Sequence, residues 1–509
     1  MIRLVRYCKS LRLVLLALAL VLAGAAESGA LTTATWDNGA SNVNDQDRWG
    51  TGSKEKKNWS GNKAPSKAKD VAIFDGAGNS GIELIKDVKI GELRFDSPLG
   101  YSLTGSKKIT FDGDNAAALN ITAADTGSHE LAVNLTLNDH LTIDHLGGGT
   151  LTLSGAISGS KSITLQGTGT TVFGSTGNSF TGNVSVVGGS LALDADDVLP
   201  DTISVSVSGG SLILGDHSDT IDGLTLASGT IAGSGTLYVS SFNYTGGISE
   251  VDVDVDFSSP TDAFEMDNSA TDVLTIGKKL KHHGKTHIKK GKLKLKGANA
   301  LPNSSFIQIE SGAELDVSES GLTLASGQMI GGSGTITGDL IVASGAILAP
   351  GDSPGTLSTG DQTWEGGGIL NIELDNATGV AGTNWDLLDI TGLLSITATS
   401  GDPFQIALST LLEGTNTPGD MSNFDASNTY TWTIATTTGG ITGFSQDAFS
   451  IDASGFTNSL VGDFSIPAFT VGVLGNDLLL YYTPEPGTAV LLTMGLGSLG
   501  LRRRRTSVT

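Results

Sequence analysis

The sequence predicts an all-β chain built as a right-handed parallel β-solenoid, with a β-rich C-terminal region and a short apolar C-terminal helix. Three observations lead there. Glycine supplies 70 of the 509 residues, charged residues only 16% and aromatic residues 6%, a balance unlike that of a solvated, disordered chain. Short apolar alternations are punctuated by Gly, Asn, Asp and Ser, the pattern of many brief strands joined by tight turns. Apolar pairs also recur at a fixed interval: Leu191 to Leu212 and Ile163 to Val184 are 21 residues apart, and Leu293 to Leu315 is 22.

That interval sets the architecture. Alternate side chains of a strand point to opposite faces, so a Leu-x-Leu pair places two apolar groups inward. Repeated every 21 or 22 residues, such pairs stack strand on strand, and a rung that short has no room for a helix plus two strands. The pairs 191/193, 212/214, 293/295 and 315/317 (Val at the last) are therefore expected to point inward in parallel rungs. Glycines at the corners supply positive φ and close backbone approach.

A longer repeat lies over the short one. Gly189-x-Leu191-x-Leu193 followed by Leu199-Pro200-Asp201 returns as Gly291-x-Leu293-x-Leu295 followed by Leu301-Pro302-Asn303. The heptapeptide GLTLASG occurs unchanged at 223–229 and 321–327, each time followed by Ser-Gly-Thr and an apolar residue. Two modules of about fifty residues thus share an order of motifs.

These motifs resemble the autotransporter-associated β-strand repeat family, with its Gly-x-Leu-x-Leu strand, Leu-Pro turn, second strand and Gly-Ser-Gly-Thr closure. Ala349-Pro350-Gly351-Asp352-Ser353-Pro354-Gly355-Thr356-Leu357 is similar to a turn that often follows such repeats. Trp36, Trp49, Asn58-Trp59-Ser60-Gly61-Asn62 and Val71-Ala72-Ile73-Phe74 fit the same group, so the likeness spans roughly 36–374. It implies an architecture and a surface setting rather than an activity.

The ends of the chain address it for export. Arg3, Arg6, Lys9 and Arg12 precede the apolar run 13–23, and Ser28-Gly29-Ala30 offers small residues for cleavage after Ala30, as in a secretory signal peptide. A retained N-terminal anchor is the alternative. Cys8 is the only cysteine, so the processed chain has neither disulfides nor thiolate chemistry. At the other end, Pro484-Glu485-Pro486 precedes an apolar stretch at 488–501 and then Arg502, Arg503, Arg504 and Arg505. Fourteen residues fall short of the roughly 20 that span a bilayer comfortably, and the arginines favour the cytoplasmic side.

This tail resembles the PEP-CTERM sorting signal. The resemblance implies an exosortase-type processing enzyme of the inner membrane as a partner, a transient membrane anchor, and cleavage near the Pro-Glu-Pro. A plain tail anchor is the alternative. The chain accordingly divides into a signal peptide (1–30), an N-terminal β region leading into the solenoid (31–125), the solenoid (126–360), a β-rich cap or sandwich (361–483) and the sorting signal with its transmembrane segment (484–509).

Charge and chemistry narrow the function. Cut after Ala30 and after Pro486, the chain holds 22 basic and 52 acidic residues, which disfavours nucleic acid as a partner and suits an abundant soluble exported protein. Calcium bridging is the functional alternative. Nine lysines and three histidines crowd 278–296, and Lys292, Lys294 and Lys296 alternate with Leu293 and Leu295 on the outer side of a strand. They read either as a solvated face or as a stripe for acidic extracellular polysaccharide or for an acidic neighbour such as Asp252, Asp254 and Asp256. Ser353 lies in a Gly-Asp-Ser but needs a base within reach to act as a nucleophile. Asp194, Asp196 and Asp197 read as turn residues rather than a glycosidase pair, and the only arginines between the terminal segments are Arg48 and Arg94. No catalytic residue, metal site or cofactor is assigned. The expectation is an exported, non-catalytic cell-surface or extracellular-matrix protein with a structural or adhesive role. A glycan- or calcium-binding adhesin and a polysaccharide-active β-helix enzyme are the alternatives.

Overall fold

The computed structural model describes residues 31–37, 47–76, 81–113, 119–123, 126–259, 261–297, 299–460 and 468–484. They fall into two compact units that divide between Gly182 and Asn183. Each is a parallel β-solenoid, with about 13 turns in all, and the described residues hold strands and three short 3-10 turns but no α-helix. The expected signal peptide and C-terminal helix lie outside the described residues; among those described, no helix is long and apolar enough to cross a membrane.

In the first unit a typical coil runs through strands Asn134–Leu137, Leu141–His145 and Thr150–Leu153. The next coil pairs with it in parallel, Leu135 with Ile157, Leu141 with Ile163 and Leu151 with Thr171. Leu135, Leu137, Leu141, Ile143, Leu151 and Leu153 are all buried, as period-two alternation requires when one face is sealed. Corners need glycine where coils touch. Gly159 has φ +114, and a Cβ there would stand 2.3 Å from the carbonyl oxygen of Leu137 on the coil before.

Parallel pairing begins earlier than residue 126. Strand Thr33–Thr35 pairs with Val71–Phe74, which pairs with Glu92–Phe95. The tryptophans explain how the first coil is closed. Trp36, Trp49 and Trp59 are fully buried, with ring centroids 5.2 Å apart for Trp36–Trp59 and 5.0 Å for Trp49–Trp59. Phe74 stands 5.6 Å from Trp59. An open solenoid end would expose apolar core; these four rings fill it.

In the second unit the expected leucine pairs behave as the repeat requires. Leu191 pairs with Leu212 and Leu293 with Leu315, both in parallel, and all eight side chains at 191/193, 212/214, 293/295 and 315/317 are buried. The two copies of GLTLASG do not behave alike. Leu224 and Leu226 lie in a strand paired with Ser204–Val207, whereas Leu322 and Leu324 lie in a separate five-stranded sheet paired with Leu340–Val342. In both copies the leucines point inward. The first copy follows a short strand segment, Asp219 to Ile221, that already pairs with residues 237–239 on another face. The second has no such segment before it, so the same seven residues occupy the earlier face.

The Leu-Pro corners are pinned from the next coil. Backbone N–H groups of Val198 and Leu199 donate to one carboxylate oxygen of Asp219 at 2.9 and 3.0 Å. At the equivalent corner the amide of Gln328 donates to the carbonyls of Leu301 and Ser304 at 2.9 and 3.1 Å. Asp219 is fully buried, its second oxygen has no hydrogen-bond partner, and burial raises its carboxyl to about 6 against the corner's own hydrogen bonds. A carboxyl whose folded pKa exceeds its unfolded one stabilises the fold at low pH, and that contribution is lost as pH rises through about 6. We expect Asp219→Asn to unfold like wild type at pH 4 and to be more stable at pH 8, by on the order of 2 kcal/mol. Equal melting temperatures at pH 8 would contradict this. His282 works in the opposite sense: burial lowers it to about 4, so its contribution is present above about 6.5 and fades as pH falls towards 4.

Beyond residue 360 the structure departs from the expected cap or sandwich. Parallel stacking continues: Leu357 pairs with Leu388 and Leu388 with Ala435, and the eight-stranded sheet runs on to Phe449–Gly455. Among the described strands, antiparallel ladders are those that Asp477–Tyr482 makes with Tyr430–Thr437 and with Phe469–Leu474. The 21-residue rhythm vanishes because the coils lengthen, with Thr391 bonded to Thr359, 32 positions back, and Thr436 to Asp389, 47 positions back. The extra residues form side excursions at 375–386 and 411–429, which hydrogen-bond each other through Asn376–Glu413 and through Asp375 to the backbone of Gly414. Phe424, Tyr430, Phe456, Phe469 and Tyr482 form an aromatic cluster at the last described strands of the second unit.

Candidate functional site

Lys292, Lys294 and Lys296 stand on the outward side of strand Lys292–Leu295 and its exit, as expected. Each already has a carboxylate. Lys292 meets Glu314 at 3.0 Å and Asp316 at 3.7 Å, Lys294 meets Glu319 at 2.6 Å, and Lys296 meets Glu250 at 2.6 Å. Hydrogen bonding to Glu314 and to Glu250 holds the ammonium groups of Lys292 and Lys296 above their ordinary range. Of the aspartates named as an acidic neighbour, Asp254 and Asp256 are met by Lys281, at 3.1 and 3.7 Å, while Asp252 adds its charge to the surroundings of Lys296. Cross-rung pairing thus cancels much of the stripe's positive charge, and a polyanion would have to displace these carboxylates.

The remaining sequence candidates separate. His282 is buried beside Thr286, 2.8 Å from its hydroxyl, while His287 reaches out to Glu310 and Glu265, so these histidines do not converge. No group of three or more His, Cys, Asp or Glu among the described residues could hold a metal ion. Asp194, Asp196 and Asp197 are exposed at the Leu-Pro corner, with Asp197 at φ +53 and Asp196 accepting from the Ser218 N–H. Arg48 and Arg94 are bound to Glu83 and Glu92. Pro484 is half-buried and follows the last strand by two residues; Glu485, Pro486, Arg502, Arg503, Arg504 and Arg505 lie outside the described residues.

One feature was not foreseen from the sequence: a cleft of about 520 Å³ on the outer side of the eight-stranded sheet. Its floor is low because the ladder position shared by Gln308, Gly331 and Ala349 carries little side chain after Gln308. Phe306 and Met329, paired one step along, give it an apolar end. One wall is the Pro-Gly-Asp-Ser-Pro-Gly turn, tied down by Gly351 N–H to the Gly332 carbonyl at 2.9 Å and by Asp352 to Gln308 and Ser333 at 3.0 and 2.9 Å. Asn416, exposed in the 411–429 excursion, forms part of the rim.

Carboxylates line this cleft. Glu310, Asp352, Glu373 and Asp386 contribute, and no Lys or Arg does. Asp386 is buried and fixed by backbone N–H groups of Gly355 and Glu373 at 2.9 and 2.8 Å. Burial, with Glu373 and Asp352 adding to it, pushes its carboxyl well above the carboxylate range. Ser353 sits at φ +84 with a hydroxyl that has no hydrogen-bond partner, so no base activates it in this arrangement. The turn was legible in the sequence; its partners were not, because they come from coils before and after it, from Phe306 to Asn416.

No family model matches the chain, and no curated protein matches it either. The two resemblances drawn above therefore rest on the quoted residues themselves.

Proposed function

We propose that this is an exported, non-catalytic protein of the cell surface or extracellular matrix, structural or adhesive in role, and processed at its C-terminal sorting signal. One observation carries the reading: Pro484-Glu485-Pro486, a 14-residue apolar stretch and four consecutive arginines, standing at the opposite end from a signal-peptide-like segment. An apolar stretch that short, followed by arginines, suits an anchor awaiting cleavage by an exosortase-type enzyme in the inner membrane. The proposal includes a short C-terminal helix and a right-handed coil. A parallel β-solenoid, the fold of each unit, is a compatible scaffold for exposure outside the cell, since its stacked coils present ladders of surface residues.

The test is location. Intact cells expressing the protein are treated with an impermeant protease, then fractionated. Loss of the protein under conditions that spare a cytoplasmic marker supports the reading, and retention of a protected cytoplasmic pool overturns it. The acid-lined cleft favours a second reading, a glycan-binding adhesin. An enzyme is the remaining rival, and release of reducing ends from an oligosaccharide by the purified chain would displace the non-catalytic reading.

A further inference from the structure

We propose that the cleft between the Pro-Gly-Asp-Ser-Pro-Gly turn and the 411–429 excursion binds a saccharide rich in hydroxyls and free of acidic groups. The inference rests on the adhesive part of the function proposed above and names its ligand class and place.

The leucine ladders of the second unit repeat with little variation until the coils that carry this cleft. There, both long excursions and the protruding turn rise beside the same few rungs. Binding sites concentrate where loops are grafted on a rigid scaffold, and rigid side chains on strands keep such a site ordered. The floor is open because Gly331 tolerates no side chain: a Cβ there would lie 2.0 Å from the Ala349 carbonyl oxygen.

The lining then selects the ligand. Phe306 offers an aromatic surface of the kind that receives the C–H side of a sugar ring. The Lys285 ammonium lies 5.3 Å from the ring centroid and also donates to the Gln308 amide oxygen. Asn371 and Asn416 bring planar amides that donate and accept at once, as vicinal hydroxyls do. Glu373, and the remaining lone pairs of Glu310 and Asp352, which are already bonded to His287 and Gln308 and to Gln308 and Ser333, can accept from the hydroxyl or amino groups of a sugar. The same three outnumber the one cation at the edge of the cleft, Lys285, which is engaged with Gln308 and the Phe306 ring, so the lining disfavours uronic or sulfated sugars. This cleft therefore points away from the acidic polysaccharide suggested by the lysine stripe, whose charge is already met within the chain.

The experiment titrates the full processed chain by calorimetry with three probes: cellohexaose, a chitosan hexamer and polygalacturonate. Wild type should bind at least one of the first two and bind polygalacturonate least. Asn416→Ala removes an exposed rim amide without touching the core, and Phe306→Ala removes the aromatic surface. Each should weaken binding of the favoured probe by about tenfold, with an unchanged melting temperature for Asn416→Ala. Changing Lys292, Lys294 and Lys296 together to Gln should leave that affinity unaltered. Three results would overturn the proposal: no binding of either non-acidic probe at millimolar concentration, equal affinity in both cleft variants, or a preference for polygalacturonate lost in the lysine variant. None of these bears on where the protein resides, so the surface assignment stands or falls separately.

Discussion

Leu293→Asp should abolish the cooperative folding of the middle coils of the second unit. Leu293 is fully buried between Leu274 on one coil and Leu315 on the next. Truncation to Ala alone would cost about 3 kcal/mol through lost burial and the cavity left behind. Aspartate adds an unpaired charge in an apolar stack, and such a group is destabilising well beyond the cavity cost. Because each coil touches only its neighbours, the damage should spread from that rung outward rather than strike the whole chain evenly. Amide hydrogen exchange is the measurement. Protection should vanish first in Val273–Ile276, Lys292–Leu295 and Glu314–Asp316, while Trp36 and its neighbours in the first unit stay protected. Undiminished protection in those three strands would sink the stacked-rung account. Lys294→Gln, one residue away on the solvent side, should leave the exchange pattern as it was.

The second large effect is on processing. On the proposed reading, changing Pro484 and Pro486 to Ala should give an uncut chain retained in the membrane, because the apolar stretch and the arginines would still insert while the proposed recognition element would be gone. Changing Arg502, Arg503, Arg504 and Arg505 to Ser should fail differently. Carrying four guanidinium groups through hydrocarbon is far costlier than leaving them in the cytoplasm, and without them the tail slips through, lowering the yield of correctly processed protein. Membrane fractions and mass spectrometry separate the two outcomes. A double-proline variant released with the wild-type mature mass would reduce the motif to part of a simple tail anchor.

Much of the fold was legible because it is written locally. A strand that hides alternate residues must alternate, so Leu191, Leu193, Leu293 and Leu295 announce both their direction and their spacing. What the alternation does not carry is which face of the coil a strand joins. GLTLASG makes this plain, since identical residues lie in different sheets according to the length of chain before them. The end of the repeat at residue 360 misled for a related reason. The coils persisted, but the excursions at 375–386 and 411–429 stretched the interval beyond recognition, leaving strand alternation without a period.

The candidate site was less legible. Lys292, Lys294 and Lys296 were placed correctly on the outer side of their strand, yet their partners Glu314, Glu319 and Glu250 lie on other coils at distances the sequence does not reveal. The cleft was invisible for the same reason. Phe306, Gln308, Asn371 and Asn416 are unremarkable singly, and only the stacking of coils brings them together. The one advance signal was the Pro-Gly-Asp-Ser-Pro-Gly turn, whose two prolines and two glycines mark a rigid projection.

The central claim is export followed by C-terminal processing, and the intact mass of the wild-type protein recovered from outside the cell tests it most directly. The account predicts a chain that starts at residue 31 and ends close to Pro484, Glu485 or Pro486. A mass that retains residues 487–509, or a full-length chain recovered with the cytoplasm, would contradict it.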